Sequence, residues 1–267
     1  MKREVSAQLE VAITAPTTLE FQIAVARQAN QGLTESLVFE LDGWAVTPWE
    51  IHGPHGTRIH KFSVGPGILR AHYSATVLGA ATPEPASDYD RALYLRPSRF
   101  AESDKLLGFA ATEFGSGTPD ARLAARVAEW VGRRIRYVAG SSDPIDGAVE
   151  TLLSGAGVCR DFAHLVVALL RAVKVPARVV SVYAPGCAPM DFHAVAEGYV
   201  DGAWRALDAT GLAPRGTLVR IATGRDASDI AFLDNHGGEI TVRSLQVTAT
   251  VDGFLPFDDN IAPISIC

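Results

Sequence analysis

Cysteine is scarce in this chain: Cys159, Cys187 and Cys267 are the three among 267 residues. A sparse, odd set makes no disulfide framework. With no Cys-x-x-Cys pair and no histidine cluster, no zinc site is expected. Runs of basic residues are missing too. Lys and Arg number 24 against 30 Asp and Glu, a formal charge of −6, so nucleic acid is not an expected partner. No apolar run approaches bilayer length, so no membrane partner is expected either. The opening Met1-Lys2-Arg3-Glu4-Val5 leads into an alternating segment instead of an apolar one. No signal peptide is therefore expected, and the default location is cytoplasmic. Asp258-Asp259-Asn260 is a poor match to a calcium loop, and no metal or organic cofactor is expected.

What is present is a globular composition, 48% apolar and 20% charged, able to build a core without metal or disulfide support. Residues 4–80 read as all-β. Val5, Ala7, Leu9, Val11 and Ile13 alternate with polar neighbours, and further strands are predicted at 19–26, 36–41, 44–51, 57–64 and 68–78. Turn signals separate them, Asp42-Gly43 the strongest. Short strands at this spacing predict a β-sandwich. A Pro-rich stretch at about 81–91 reads as a linker. Helical spacing follows: Ser103-Asp104 opens a short helix to about Glu113, Gly115-Ser116-Gly117-Thr118-Pro119 breaks it, and Asp120 opens a longer one to Ile135. A helix from Cys159 to about Lys174 stops at Pro176, and strands are predicted at 177–184, 193–200, 203–208, near 218–223 and at 240–251. The expected architecture is α+β: a β-sandwich domain over 1–85, then an α+β domain over 92–267 whose Cys-bearing helix packs on an antiparallel sheet.

Gly155-Ala156-Gly157-Val158-Cys159 runs a glycine loop straight into that apolar helix. A cysteine in such a setting can be a small buried hydrophobe. At the first turn, however, the helix dipole favours a thiolate, and free backbone N–H groups can hold an oxyanion. The two glycines are expected to leave room for a substrate beside the sulfur. The first oxyanion donor is expected to be the Cys159 N–H. Tyr137 is a candidate for the second, against the alternative of a core tyrosine.

Asp201-Gly202 is a preferred two-residue hairpin loop between apolar strands. If it forms, Val200 faces Ala203, and outward counting sets Asp208 opposite Val195 and His193 opposite Thr210. His193 and Asp208 then share a face, diagonally offset and within reach of each other. A slip of one residue would put them on opposite faces. Singly, His193 reads as a strand histidine and Asp208 as a strand-end cap. Together with a cysteine at a helix mouth they make a Cys159–His193–Asp208 triad: nucleophile, base and orienting carboxylate, acting through a thioester. Asp161 and His164 read as a first-turn capping acid and a buried, hydrogen-bonded histidine, with support of the cysteine as the alternative. Arg225, Asp226 and Asp229 read as a solvated ion-pair loop more readily than as a cleft wall.

The stretch from Gly157 to His164, then Val175-Pro176-Ala177-Arg178, His193-Ala194 and Leu207-Asp208-Ala209-Thr210 resemble the transglutaminase-like superfamily. The likeness is to its bacterial branch, whose members are described, by inference, as cysteine proteases. Gly224-Arg225-Asp226-Ala227-Ser228-Asp229 and the leading β region resemble the same branch, so the likeness spans most of the chain. It implies a papain-like arrangement with Cys159, His193 and Asp208 as the triad. Two departures touch the cleft: members often carry Trp soon after the His, where this chain has Ala194-Val195, and Asp-Pro-Thr, where it has Asp208-Ala209-Thr210. The expected function is thiol-dependent acyl transfer on a peptide or protein amide, with hydrolysis ahead of glutamine cross-linking. A non-catalytic binding module and a small-molecule acyltransferase of the arylamine type are the other classes.

Overall fold

The computed structural model describes residues 1–115 and 118–266. Ser116 and Gly117 of the expected helix break, and Cys267, lie outside the described residues. Period-2 burial builds the first part of the chain. Strand β1 (Lys2–Ile13) buries Val5, Ala7, Leu9, Val11 and Ile13 on one face. It is followed by β2 (Thr17–Phe21), β3 (Gly32–Leu41), β4 (Trp44–Val46), β5 (Trp49–His52), β6 (Arg58–Val64) and β7 (Gly67–Leu78). Asp42 and Gly43 both take positive φ, 50° and 84°, as the primed hairpin turn between β3 and β4 requires.

The helices are α1 (Asp88–Leu93), α2 (Leu107–Phe114), α3 (Ala121–Arg134), α4 (Ala148–Ser154), α5 (Cys159–Ala172) and α6 (Ala227–Ile230). The later strands are β8 (Arg136–Tyr137), β9 (Ala156–Gly157), β10 (Ala177–Tyr183), β11 (Phe192–Val200), β12 (Ala203–Leu207), β13 (Val219–Gly224), β14 (Leu233–His236) and β15 (Ile240–Val251). The molecule is α+β with antiparallel sheets. Their strand orders are β15-β1-β7-β3-β4, β14-β2-β6-β5 and β12-β11-β10-β13, and a short parallel pair joins β8 to β9.

Every residue of α5 from Asp161 to Ala172 is buried. That is the signature of a helix packed all round, wider than the stripe its apolar spacing predicts. Its neighbours are α3, α4 and strands β10 and β11. One continuous apolar core runs from α5 into the leading sheets, where Phe21, Phe39 and Phe62 meet with ring centroids 4.9–5.9 Å apart.

Several local expectations change. The run 19–26 is a strand only as far as Phe21. Ile23 to Ala26 are fully buried, but they leave the sheet and stitch the leading sheets to the third one. Ala26 N–H donates to Arg220 O at 2.9 Å, and Tyr183 Oη donates to Ile23 O at 2.7 Å. An apolar run alone does not distinguish a strand from a buried connection of this kind. The expected linker holds the start of α1: Ser87 Oγ accepts from Asp90 N, and Asp90 Oδ2 accepts from Ser87 N, each at 3.0 Å. The expected strand 44–51 divides around Pro48 into β4 and β5. Strands β14 and β15 return to complete the leading sheets, β14 against β2 and β15 against β1. The leading β module thus draws on residues well outside 1–85.

Candidate functional site

Helix α4 ends at Gly155 in the left-handed conformation, φ 64°. The chain runs through β9 and turns into α5 at Cys159. Asp161 folds back over that turn, its Oδ2 accepting from Val158 N at 2.8 Å. It is the expected first-turn cap, and it explains Gly157: a Cβ there would lie 2.7 Å from Asp161 Cβ. The two glycines therefore serve a helix end and a close approach of Asp161. Arg160 grips Asp161 Oδ1 at 3.3 Å, Ser142 Oγ at 2.5 Å and Asp143 O at 2.7 Å, tying the loop before α4 to the helix mouth.

The hairpin has the counted register. Val200 pairs with Ala203 and Ala196 with Leu207, with Asp201 and Gly202 at φ 51° and 77°. Strand β12 stops at Leu207, so Asp208 stands just past its end, beside Val195 in extrapolation. His193 Nε2 meets Asp208 Oδ2 at 2.9 Å, with both side chains 1% exposed. Thr210, expected opposite His193, instead turns back on the carboxylate. Its N donates to Asp208 Oδ1 at 2.9 Å and its Oγ1 at 2.6 Å. Both carboxylate oxygens are thus held, and the Asp-x-Thr spacing was the available signal for the second.

Burial is the largest influence on His193 and pushes its pKa down. The charge and hydrogen bond of Asp208, joined by a hydrogen bond and charge interaction with the Cys159 side chain, outweigh it and leave the imidazole well above its ordinary value. Burial likewise pushes Asp208 up, but His193 and Thr210 hold it below the usual carboxylate range. The cysteine at the helix mouth, the histidine and the aspartate are therefore brought together. Cys187 also stands nearby. Burial raises its pKa, which keeps its thiol protonated, and its Sγ contacts Pro189 O at 3.5 Å.

Tyr137 is 47% exposed, not a core residue. Its hydroxyl lies within hydrogen-bonding reach of the Cys159 backbone, and burial of part of the ring pushes its pKa up to about 12. His164 is fully buried as expected and stacks on Phe100 at 5.4 Å. Ala227 N–H donates to its Nε2 at 3.1 Å, and burial pushes its pKa down to about 3, so it is a neutral packing group. The 224–229 segment only partly fits the solvated-loop expectation. Arg225 and Asp229 do form a half-exposed, two-pronged ion pair at 2.8 and 2.9 Å. Asp226, however, is completely buried and accepts from Phe100 N at 2.9 Å. Arg225 O takes Arg171 Nη2 of α5 at 2.7 Å. The segment is a clamp on α5.

Beside Cys159 and His193 opens a cavity of about 300 Å³. Phe192, Ile221, Ile230, Phe232 and Leu245 supply its apolar wall, and Phe192 and Phe232 stack at 5.3 Å. Gln22 of the leading segment also reaches it. Nothing in the sequence marked these positions, because they come from distant segments.

Comparison with known proteins points one way. Residues 109–209 match the family model of the transglutaminase-like superfamily. A crystal structure from Cytophaga hutchinsonii, named a "putative cysteine protease", is 31% identical. The match covers 97% of this chain and 94% of that one with a TM-score of 0.88. An uncharacterized protein of Mycobacterium leprae is 20% identical over 206 residues, 72% of each chain. With the fold shared almost end to end, and the family model lying over the segment that carries Cys159, His193 and Asp208, the chain belongs to the bacterial branch of the transglutaminase-like superfamily.

Proposed function

We propose that this chain is a cysteine hydrolase that cleaves amide bonds in peptides or proteins by acyl transfer through Cys159, His193 and Asp208. The observation that carries the reading is the fully buried 2.9 Å His193–Asp208 pair in interaction with a cysteine at the mouth of α5. Asp208 occupies Nε2, which leaves Nδ1 as the ring nitrogen for the sulfur. A carboxylate that keeps the ring charged favours an imidazolium beside a thiolate. The thiolate attacks the amide carbon, and the carbonyl oxygen takes up negative charge. The Cys159 backbone N–H and the Tyr137 hydroxyl are the donors for that oxygen. The imidazolium gives its proton to the departing amine, leaving a thioester. His193 then draws a proton from water, which attacks the thioester carbon and releases the carboxylic acid and the thiolate. The leading sheets, completed by β14 and β15, form in this reading a β-sandwich scaffold that also walls the cleft.

The test is peptide-library profiling of wild type and Cys159→Ala, with and without added amine. New carboxyl termini from wild type alone bear the reading out. Amine-linked products in place of hydrolysis would reassign it to transamidation, and equal turnover by Cys159→Ala would end it. Iodoacetamide should label Cys159 in the folded protein and leave Cys187, which burial keeps protonated, untouched until unfolding.

A further inference from the structure

Resting on that reading, we infer that the cavity beside Cys159 is a specificity pocket for one bulky apolar side chain, of leucine or phenylalanine size, on the acyl part of the substrate. At about 300 Å³ it stands at the small end of ligand pockets, room for a side chain and not for a folded segment. Its wall is apolar and partly aromatic: Phe192, Ile221, Ile230, Phe232 and Leu245. Offset aromatic faces and branched aliphatics favour a hydrocarbon or ring as their guest.

The charged residues at the rim offer little to a charged guest. Arg160 is already bound to Ser142, Asp143 and Asp161. Asp191 is exposed and accepts from Phe192 N at 2.7 Å. Of the polar groups in the wall, Gln22 has its amide nitrogen committed to Asp229 O at 3.4 Å and Ala231 O at 3.2 Å, while its Oε1 and the Oγ of Ser181 are buried and neutral, with no hydrogen-bond partner among the described residues. A charged side chain placed here would lose its water, and the two free polar atoms of the wall, both neutral, replace little of it.

The pocket adjoins the sulfur, so it serves best the part of the substrate that stays tethered. The acyl group remains on Cys159 after the amine departs. A side chain anchored in the pocket holds the thioester in place while water attacks. Ala231 is one of the small residues in the lining, where a larger side chain would take up part of the room.

The test uses acetyl-aminoacyl chloromethyl ketones that carry Phe, Leu, Ala, Asp or Lys. The residue is varied at the first acyl-side position in one series and at the second in another. Covalent modification of Cys159 is followed by intact mass. Each rate is divided by the same variant's rate with iodoacetamide, which needs no pocket. Phe and Leu probes should react at least about tenfold faster than Ala, Asp and Lys probes in one of the series, since filling an apolar pocket separates guests by about that factor. Ala231→Phe, which plugs the pocket, should collapse the ratio, and Phe232→Ala, which removes a wall, should lower it. Equal rates for charged and apolar probes, or a ratio that survives both substitutions, overturns the inference while the iodoacetamide rate keeps the thiol reading intact. A Cys159 that no reagent touches until the protein unfolds overturns both.

Discussion

Asp208→Asn is the perturbation that separates a working triad from a structural histidine. The amide retains an oxygen for Thr210, whose two hydrogen bonds at 2.9 and 2.6 Å hold the side chain in place, so geometry is conserved while charge is lost. In the native pair, burial alone pulls His193 down, and Asp208 is the main influence that reverses it. Without the carboxylate, the largest support of the charged ring is gone, and the imidazolium gives up its proton at a lower pH. Hydrolysis near neutrality should fall on the order of 10²- to 10⁴-fold, the worth of a positioned acid–base group. The basic limb of the pH–rate profile should move to lower pH.

Stability should respond in a definite window. A raised histidine pKa contributes stability that is complete below the unfolded value, about 6.5, and is lost as pH rises through the folded value. A lowered aspartate pKa contributes above about 4 and is lost as pH falls through its folded value. These are two views of one interaction. Denaturant titrations should therefore show the largest gap between wild type and Asp208→Asn between about pH 4 and 6.5, approaching the ~3–5 kcal/mol of a broken buried pair, and a narrowing gap on either side. A rate loss under about threefold, with superposable pH profiles, would refute the reasoning.

Tyr137→Phe removes one hydroxyl beside the Cys159 backbone. If that hydroxyl serves the oxyanion, kcat should drop about 10²-fold with KM little changed, while the rate of iodoacetamide labelling stays close to wild type. Parallel losses in both would assign the ring to packing. Glu197 is fully buried between Arg178 Nε and Arg220 Nη2, each at 2.7 Å. Burial pushes its carboxyl up, but the two guanidiniums hold it down at about 2. Its contribution is therefore present above its unfolded value and lost as pH falls toward 2. Glu197→Gln should destabilise by ~3–5 kcal/mol and lower Tm at neutral pH by on the order of 10 °C. A change within about 2 °C would show that the arginines find other partners.

Much of the fold was legible because local chemistry and tertiary structure agree. The alternation in β1, the Asp201-Gly202 loop and the Asp120 cap of α3, with Oδ1 accepting from Leu123 N at 2.8 Å, each follow from short-range rules. Counting outward from the loop was enough to bring His193 to Asp208, because strand register leaves no intermediate answer. Fully buried Ile23–Ala26 misled for the opposite reason, since its hydrogen bonds go to Arg220, Tyr73 and Tyr183, far away in sequence. Short α1 and α4 lacked the length for a helical period and were marked only by their capping residues. The pocket wall stayed hidden on the same grounds: Phe192, Phe232 and Leu245 become neighbours only after β14 and β15 have paired with the start of the chain.

That last pairing bears on how the molecule can be cut. Strand β15 hydrogen-bonds along β1 from Arg3–Val251 to Ile13–Ile240, with one bulge. A fragment starting at residue 92 would present β14 and β15 as two unpaired ribbons, open to any other chain. Its cleft would also stand open on the side that Gln22 closes. Splitting the protein at its apparent seam should give an aggregating product, whereas the two pieces expressed together have the complementary edges needed to reassemble.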